Sequence, residues 1–305
     1  GILFSDERYE NADIMLRDAD TAMYHAKDSG KGRYEVFDAS MHQRVQNALT
    51  LEADIREAIK WQEFIPYFQP ILSLGNGEVK GLEALARWQS TKRGFVYPND
   101  FIPLAEETHL IQAIDLQILQ KSCQQLRIWQ EKLSCDDLYV SCNLFCQQFF
   151  NPALPDEITK ILRKTELKPE HLRVELTERA LLENTDIVLA NMKALKRLGV
   201  KILLDDFGTG YSSLSYLHRF PIDVLKIDRS FITNVHEHEN NRAIIKTIID
   251  LAANLHMETV GEGIENLADA QLLQRMDCSY GQGFYFSKPM PANEMEQYIM
   301  SKQAK

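Results

Sequence analysis

The chain has 305 residues, of which 45% are hydrophobic, and a formal net charge of −10. That length covers one large domain or two modest ones, and that apolar share can bury a full core. No block of Lys and Arg stands out, which argues against a groove tracking long nucleic acid, though not against a small anionic substrate served by local metal ions.

The first forty residues stand apart. NADIMLRDADTAMYHAKDSGKGRYEVFD predicts a helix stopped at Ser29-Gly30, then a short strand from Arg33 to Phe37. Ile14, Ala19, Ala22, Met23 and Ala26 form one apolar stripe on that helix. A helix and one strand cannot bury a core alone, so this segment reads as the tail of a larger domain. Residues 40–61 read as a helical connector, with Val45, Leu49, Leu51, Ile55, Ala58 and Ile59 near helical spacing. From residue 62 the texture changes. FIPYFQPILSL is strand-like, and Gly75-Asn76-Gly77 is a hairpin turn leading into VKGLEALARW. Strands and helices then alternate. Strands are expected at 138–145, 172–177, 200–206, 224–228, 257–262 and 278–286. Helices are expected at 110–131, 155–165, 180–198, 238–255 and 266–275, with a last amphipathic helix at the end. Repeated βα units imply an α/β fold, a modified (β/α)8 TIM barrel, with a doubly wound open sheet as the competitor. The opening hairpin implies one strand antiparallel to the others.

The five cysteines include no C-x-x-C and no zinc spacing, which fits a reducing cytoplasm. No run of residues reaches the length of a membrane span, so no membrane contact is expected within this segment. The expected location is the cytoplasm, alone or as the cytoplasmic part of a membrane-anchored or sensor protein.

In a barrel the chemistry sits at the C-terminal ends of the strands. There the sequence places Glu83 and Arg87, Asn143, Glu175 with Glu178 just beyond, Asp205 and Asp206, Lys226, Glu262 and Glu265, and Gln282. Converging carboxylates repel one another in a low-dielectric interior unless a cation sits between them. An all-oxygen ligand set selects a hard ion such as Mg2+ or Mn2+. Two adjacent aspartates can serve two ions, the usual device for phosphate ester hydrolysis. Taken singly, the Asp205-Asp206 pair reads more readily as a helix N-cap or turn signal. The recurrence of acidic or amide groups at successive strand ends favours the metal site.

These motifs resemble an EAL domain, the cyclic di-GMP phosphodiesterase module. The resemblance rests on FQP at 68–70, EALARW at 83–88, SCNLF around Asn143 and ELTE at 175–178. It continues through DDFGTGYSSL at 205–214, LKID at 225–228, EGIE at 262–265 and QGFYFSKP at 282–289. It implies a TIM barrel with an antiparallel first strand, and hydrolysis of cyclic di-GMP to linear pGpG. It implies two ions, Mg2+ or Mn2+. Glu83, Asn143, Glu175 and Asp205 would hold one. Asp205 and Asp206 would hold the other, with Glu262 and Gln282 contributing directly or through water. Lys226, Glu262 and Glu83 would be catalytic, with Lys226 orienting the attacking water and helping to deprotonate it. Substrate contacts would fall to Gln69, Leu85, Arg87, Asp206, Glu265, Gln282 and Tyr285, and Glu178 would brace the loop 207–214. Ala86 departs from the family's usual leucine without removing a ligand. Residues 1–39 resemble the C-terminal end of a GGDEF domain, in ADTAMYHAK and GKGRYEVF, without its signature or nucleotide-binding half. The implied organisation is a GGDEF remnant at 1–39, a linker and domain start at 40–61, and the phosphodiesterase barrel at 62–305. The resemblance also admits a homodimer through EAL domains. Two other readings compete: a cyclic di-GMP receptor without turnover, and a glycosidase, which would use only two carboxylates.

His236 and His238, in HEHEN, read as a solvated helix start rather than a metal site. Cys142 should face away from Asn143, into the layer between barrel and helices.

Overall fold

The computed structural model describes residues 1–4, 11–28, 32–178, 181, 185–208 and 214–303. It opens with helices α1 (Ala12–Asp28) and α2 (Ala39–Trp61). Ala22 and Ala26 of the expected α1 stripe are buried, but Met23 is exposed. Ser29 and Gly30 lie outside the described residues. The expected strand Arg33–Phe37 is corrected to a single bridge between Val36 and Ile2. Among the described residues only Ile2 pairs with this segment, too little for a ladder. Asp38 caps α2 by accepting from Ser40 N at 2.9 Å. Ile55 and Ala58 are core, while Val45 and Leu49 of the same helix are exposed.

Strands β1 (Phe64–Ser73), β2 (Val79–Ser90) and β3 (Gly94–Val96) follow, then helices α3 (Pro98–Glu107) and α4 (Ile111–Leu133). Beyond these the chain alternates. In order come β4 (Tyr139–Asn143), α5 (Leu154–Thr165), β5 (Leu172–Thr177), α6 (Thr185–Leu198), β6 (Lys201–Phe207) and α7 (Leu214–Arg219). Then come β7 (Val224–Ile227), α8 (Arg229–Ile232), α9 (Glu239–Asn254), β8 (Glu258–Gly261), α10 (Leu267–Arg275), β9 (Tyr280–Gly281) and α11 (Ala292–Gln303).

The strands close into an eight-stranded barrel, β1-β2-β4-β5-β6-β7-β8-β9, with β3 appended to β2. β1 is antiparallel to both its barrel neighbours, β2 and β9, and the other barrel pairs are parallel. Closure by β1 excludes the open doubly wound sheet. The hairpin turn is the expected one: Gly77, at φ 73°, donates its N–H to Ser73 O at 2.8 Å. The last strand is shorter than expected. Past Gly281 the backbone turns, and Phe286 and Ser287 donate back to Gly283 O at 3.1 Å.

Period-2 alternation along each strand separates two cores. The outer one packs helices on the barrel. Trp129 of α4 meets Phe68 of β1 at 4.8 Å between ring centroids, and Phe64 meets Trp88 at 5.5 Å. Cys142 faces this layer, as expected. The inner core is small: Ile71, Leu203, Val224 and Val260, with Tyr139 and Tyr280. Below it the floor is polar. The Arg173 guanidinium lies 3.4 Å from the Tyr139 ring centroid and 3.5 Å from Glu258 Oε2. Gly81 makes room, since a Cβ there would come within 2.1 Å of the Tyr139 ring.

One outer helix also fixes the mouth of the barrel. Asp115 of α4 accepts through Oδ2 from Phe145 N at 2.8 Å and from Gln148 Nε2 at 3.2 Å. It thereby anchors the turn that follows Asn143. Burial pushes its carboxyl up to about 7, against the pull of those two hydrogen bonds. The folded state therefore holds a proton between pH 4 and 7 that the unfolded chain has released, and stability falls as pH rises through that window. Asp115→Asn keeps an acceptor oxygen and removes the charge. Its melting temperature at pH 8 should match or exceed that of the wild type. Asp115→Ala strands the Phe145 N–H and should cost about 1–3 kcal/mol. Thermal melts at pH 5 and 8 check this. An Asn variant as unstable as the Ala variant at pH 8 would show that the charge, not the oxygen, holds the turn.

Candidate active site

Adjacent residues on a regular strand point to opposite faces, so Asp205 and Asp206 should not share a site. The ladder resolves this. Leu204 pairs with Leu225 and Phe207 with Ile227, so β6 spends one extra residue against β7. Asp206 sits in that bulge with φ 54°, a left-handed backbone that aspartate tolerates better than most residues. The bulge turns its carboxylate toward the mouth beside Asp205. Oxygens of Asp205, Asp206 and Glu262 lie within 4.8 Å of one another, the one such acidic cluster among the described residues.

Lys226 stands at the centre. It is 1% exposed, and its ammonium lies 2.5 Å from Glu175, 2.6 Å from Glu262, 3.4 Å from Asp205 and 3.6 Å from Glu83. Burial alone would lower its pKa, but Asp205, Glu175, Glu262 and Glu83 hold it well above the ordinary lysine value. The carboxylates are in excess. Burial, with Glu83 and Asp205 adding and Lys226 opposing, lifts Glu175 to about 8. Burial and the same acidic neighbours lift Glu262 well above its ordinary value, and burial with Asp205 and Asp228 lifts Asp206.

Around this group runs a chain of amides. Asn143 Nδ2 donates to Glu83 Oε1 at 2.8 Å, which turns its carbonyl oxygen the other way. Gln282 Nε2 donates to Glu83 Oε2 at 2.5 Å and to Gln69 Oε1 at 3.0 Å. The antiparallel register of β1 on β2 sets Gln69 directly beside Glu83. Gln69 in turn donates to Ser287 O at 3.0 Å.

A cleft of about 320 Å³ opens above, lined by Gln69, Glu83, Leu85, Asp206, Glu262, Glu265 and Gln282. Asp228, Arg229 and Phe284 line it too. The sequence reading missed these three, although Asp228 closes the LKID motif and Phe284 directly precedes Tyr285. Arg87 does not line this cleft; it is half-buried, 5.3 Å from the Tyr67 ring centroid, and desolvation lowers its pKa. Tyr285 is 42% exposed, packs its ring on Phe286 and does not line this cleft. Glu178 is 8% exposed, and neither carboxylate oxygen has a hydrogen-bond partner. Residues 209–213 of the loop it is expected to brace lie outside the described residues. His236 and His238 are exposed at a helix start, as expected, with His238 at the N-cap of α9; in addition the His236 Nδ1 lies 2.7 Å from Asp269 Oδ1.

The donors suit a hard divalent cation. They are all oxygens, Glu175 Oε1 is buried without a partner, and one ammonium does not balance the surrounding carboxylates. Among the described residues, no helix is long and apolar enough to cross a membrane.

Residues 52–289 match the EAL domain family. The bifunctional diguanylate cyclase/cyclic di-GMP phosphodiesterase MucR of Pseudomonas aeruginosa is 38% identical over 92% of this chain and 41% of its own length. The cyclic di-GMP phosphodiesterase PdeR of Escherichia coli is 36% identical over 98% of this chain and 45% of its own. The chain thus spans less than half the length of these curated relatives. A solved structure of PaMucR phosphodiesterase in its c-di-GMP complex superposes with a TM-score of 0.76 at 37% identity, covering 81% of this chain and 99% of that one. Barrel topology, strand-end acids and the match over most of its length agree: the chain belongs to the EAL-domain family.

Proposed function

We propose that this chain hydrolyses cyclic di-GMP to linear pGpG, as a phosphodiesterase of bacterial second-messenger signalling using two divalent ions, Mg2+ or Mn2+. The observation that carries the reading is the β6 bulge, which sets Asp205 and Asp206 beside Glu262 and the Lys226 ammonium. Membership of the EAL family and the names of its relatives support the substrate.

Glu83, Asn143, Glu175 and Asp205 would hold one ion, and Asp205 with Asp206 the other, with Glu262 and Gln282 assisting. When bound, such ions stabilise developing charge on the phosphoryl oxygens and make water nucleophilic near neutral pH. Lys226 is an ammonium, so its part is to orient the attacking water and stabilise hydroxide as it forms. Glu83 and Glu262 are the catalytic carboxylates beside it. Arg87, steadied over Tyr67, takes the substrate phosphate, helped by Gln69. Leu85 and Glu265 line the walls, and Tyr285, outside that lining, would reach the substrate only beyond the cleft. Glu178 is assigned to brace the loop 207–214, a role supported by its burial directly past β5, three residues beyond Glu175.

Residues 1–39 are read as a GGDEF remnant and 40–61 as a linker running into the barrel at 62–305. The match to a bifunctional cyclase/phosphodiesterase over 92% of the chain supports this. The segment is placed in the cytoplasm, where its five cysteines stay free, and is proposed to pair through its EAL domain.

The primary experiment incubates the protein with cyclic di-GMP and Mg2+ and chromatographs the products. pGpG is expected, EDTA should abolish it, and Asp205→Asn should remove turnover while the fold melts normally. Tight binding with intact substrate would make the protein a receptor, and full activity in EDTA would reject the metal mechanism. Lys226→Ala should lower kcat by about 10²-fold or more while substrate affinity changes far less. A variant defective only in binding would show that the lysine merely holds phosphate. Glu178→Ala should need more Mg2+ for half-maximal activity and recover part of its rate in excess Mg2+. Superimposable Mg2+ titrations of variant and wild type would reject the brace.

A further inference from the structure

One wall of the cleft is made by two loops. The loop after β7 carries Asp228 and Arg229, and the loop after β8 carries Glu262, Gly263 and Glu265. They meet without slack. Gly263 has φ +66°, and a Cβ there would lie 2.4 Å from Arg229 Cβ. A second contact ties the same loops further from the cleft. Asp269, at the start of α10, is 1% exposed. Its Oδ1 accepts from His236 Nδ1 at 2.7 Å and from His236 N at 3.4 Å. Its Oδ2 accepts from Asn266 Nδ2 at 2.7 Å, while its own N–H donates to Asn266 Oδ1 at 2.9 Å and so caps α10. His236 ends the segment that begins at Arg229, and Arg242 of α9 donates to its carbonyl at 2.8 Å. Asn266 directly follows Glu265. A buried carboxylate is costly unless its oxygens are satisfied, and here the partners come from both loops.

We propose that His236 and Asp269 are positioning residues for the substrate wall, their pair locking the loop that carries Arg229 against the loop that carries Glu265. The assignment rests on reading the cleft as the cyclic di-GMP site. The pair touches neither substrate nor the acidic cluster, and acts only through the loops it joins.

The charged groups facing His236 are Asp269 from α10, Glu237 on its own segment, 3.5 Å from Nε2, and Arg242 from α9 at its carbonyl. The hydrogen bond to Asp269 raises the imidazole above its ordinary 6.5, with Glu237 adding and desolvation opposing. The charge-assisted contact is therefore fully present below pH 6.5 and is lost as pH rises through the raised value.

Hydrogen exchange and steady-state kinetics on wild type, His236→Ala and His236→Asn test the proposal. In His236→Ala the amides of 229–238 and 262–266 should exchange about 10-fold faster while the barrel strands keep their protection. KM for cyclic di-GMP should rise about 5-fold with kcat within about 2-fold. Asn offers a side-chain N–H to Asp269, so it should restore slow exchange and low KM at neutral pH and flatten any rise of KM with pH. Unchanged exchange and KM in His236→Ala would overturn the proposal, as would acceleration spread evenly over the whole chain. A wild type that neither binds nor cleaves cyclic di-GMP would sink the substrate reading alone, because exchange at the two loops still decides the pair.

Discussion

Negative charge crowded around one buried ammonium is the constraint on which the rest of the structure depends. Four carboxylates lie within 3.6 Å of Lys226 Nζ. Two like charges about 4 Å apart repel by about 4 kcal/mol at an effective dielectric near 20, so flexible loops would let such groups drift apart. The barrel does not. Glu83, Glu175, Asp205 and Lys226 are strand residues of β2, β5, β6 and β7, each laddered on both sides, and Glu262 follows β8 at once. The floor is different in kind. There Arg173 meets Glu258 and lies on Tyr139, so positive and negative charge are paired in place. Charge is near balance at one end of the barrel and in excess at the other, and a cation is drawn to the mouth.

What could be read from the sequence follows from how local each signal is. The hairpin and the alternating βα pattern are local, and they narrowed the fold to a barrel or an open sheet; the motif resemblance pointed to the barrel with its antiparallel strand. Short elements left no periodicity to detect: α8 spans Arg229–Ile232 and β3 spans Gly94–Val96. Arg33–Phe37 has strand chemistry, but among the described residues only Ile2 pairs with it, a fact no local reading contains. The bulge is the instructive case. Two adjacent aspartates are visible in the sequence, yet strict alternation would send one of them away from the site. Only the left-handed backbone at Asp206, seen against its ladder partners, shows how both can serve it.

Contacts distant in sequence were least accessible. Nothing near His236 in HEHEN points to Asp269, because the pair joins two separate loops. Asp115 looks like an ordinary polar position in α4 until Phe145 N is found donating to it. Both carboxylates lie away from the acidic cluster: Asp269 has both oxygens engaged by N–H groups, and Asp115 accepts two N–H groups through its Oδ2.

That contrast sorts the acids of this chain by what satisfies them. Asp115 and Asp269 are answered within the protein, so they gain nothing from an ion and serve to hold turns and loops in place. Glu175 keeps an oxygen with no partner, and its neighbours share a single ammonium. A carboxylate whose hydrogen bonds are complete is a strut, and one left incomplete at the mouth of a rigid barrel is a ligand in waiting. Glu178 lies between the two classes. Its oxygens are buried and unanswered among the described residues, and the backbone N–H groups of the loop after Asp206 are the donors that would make it a strut.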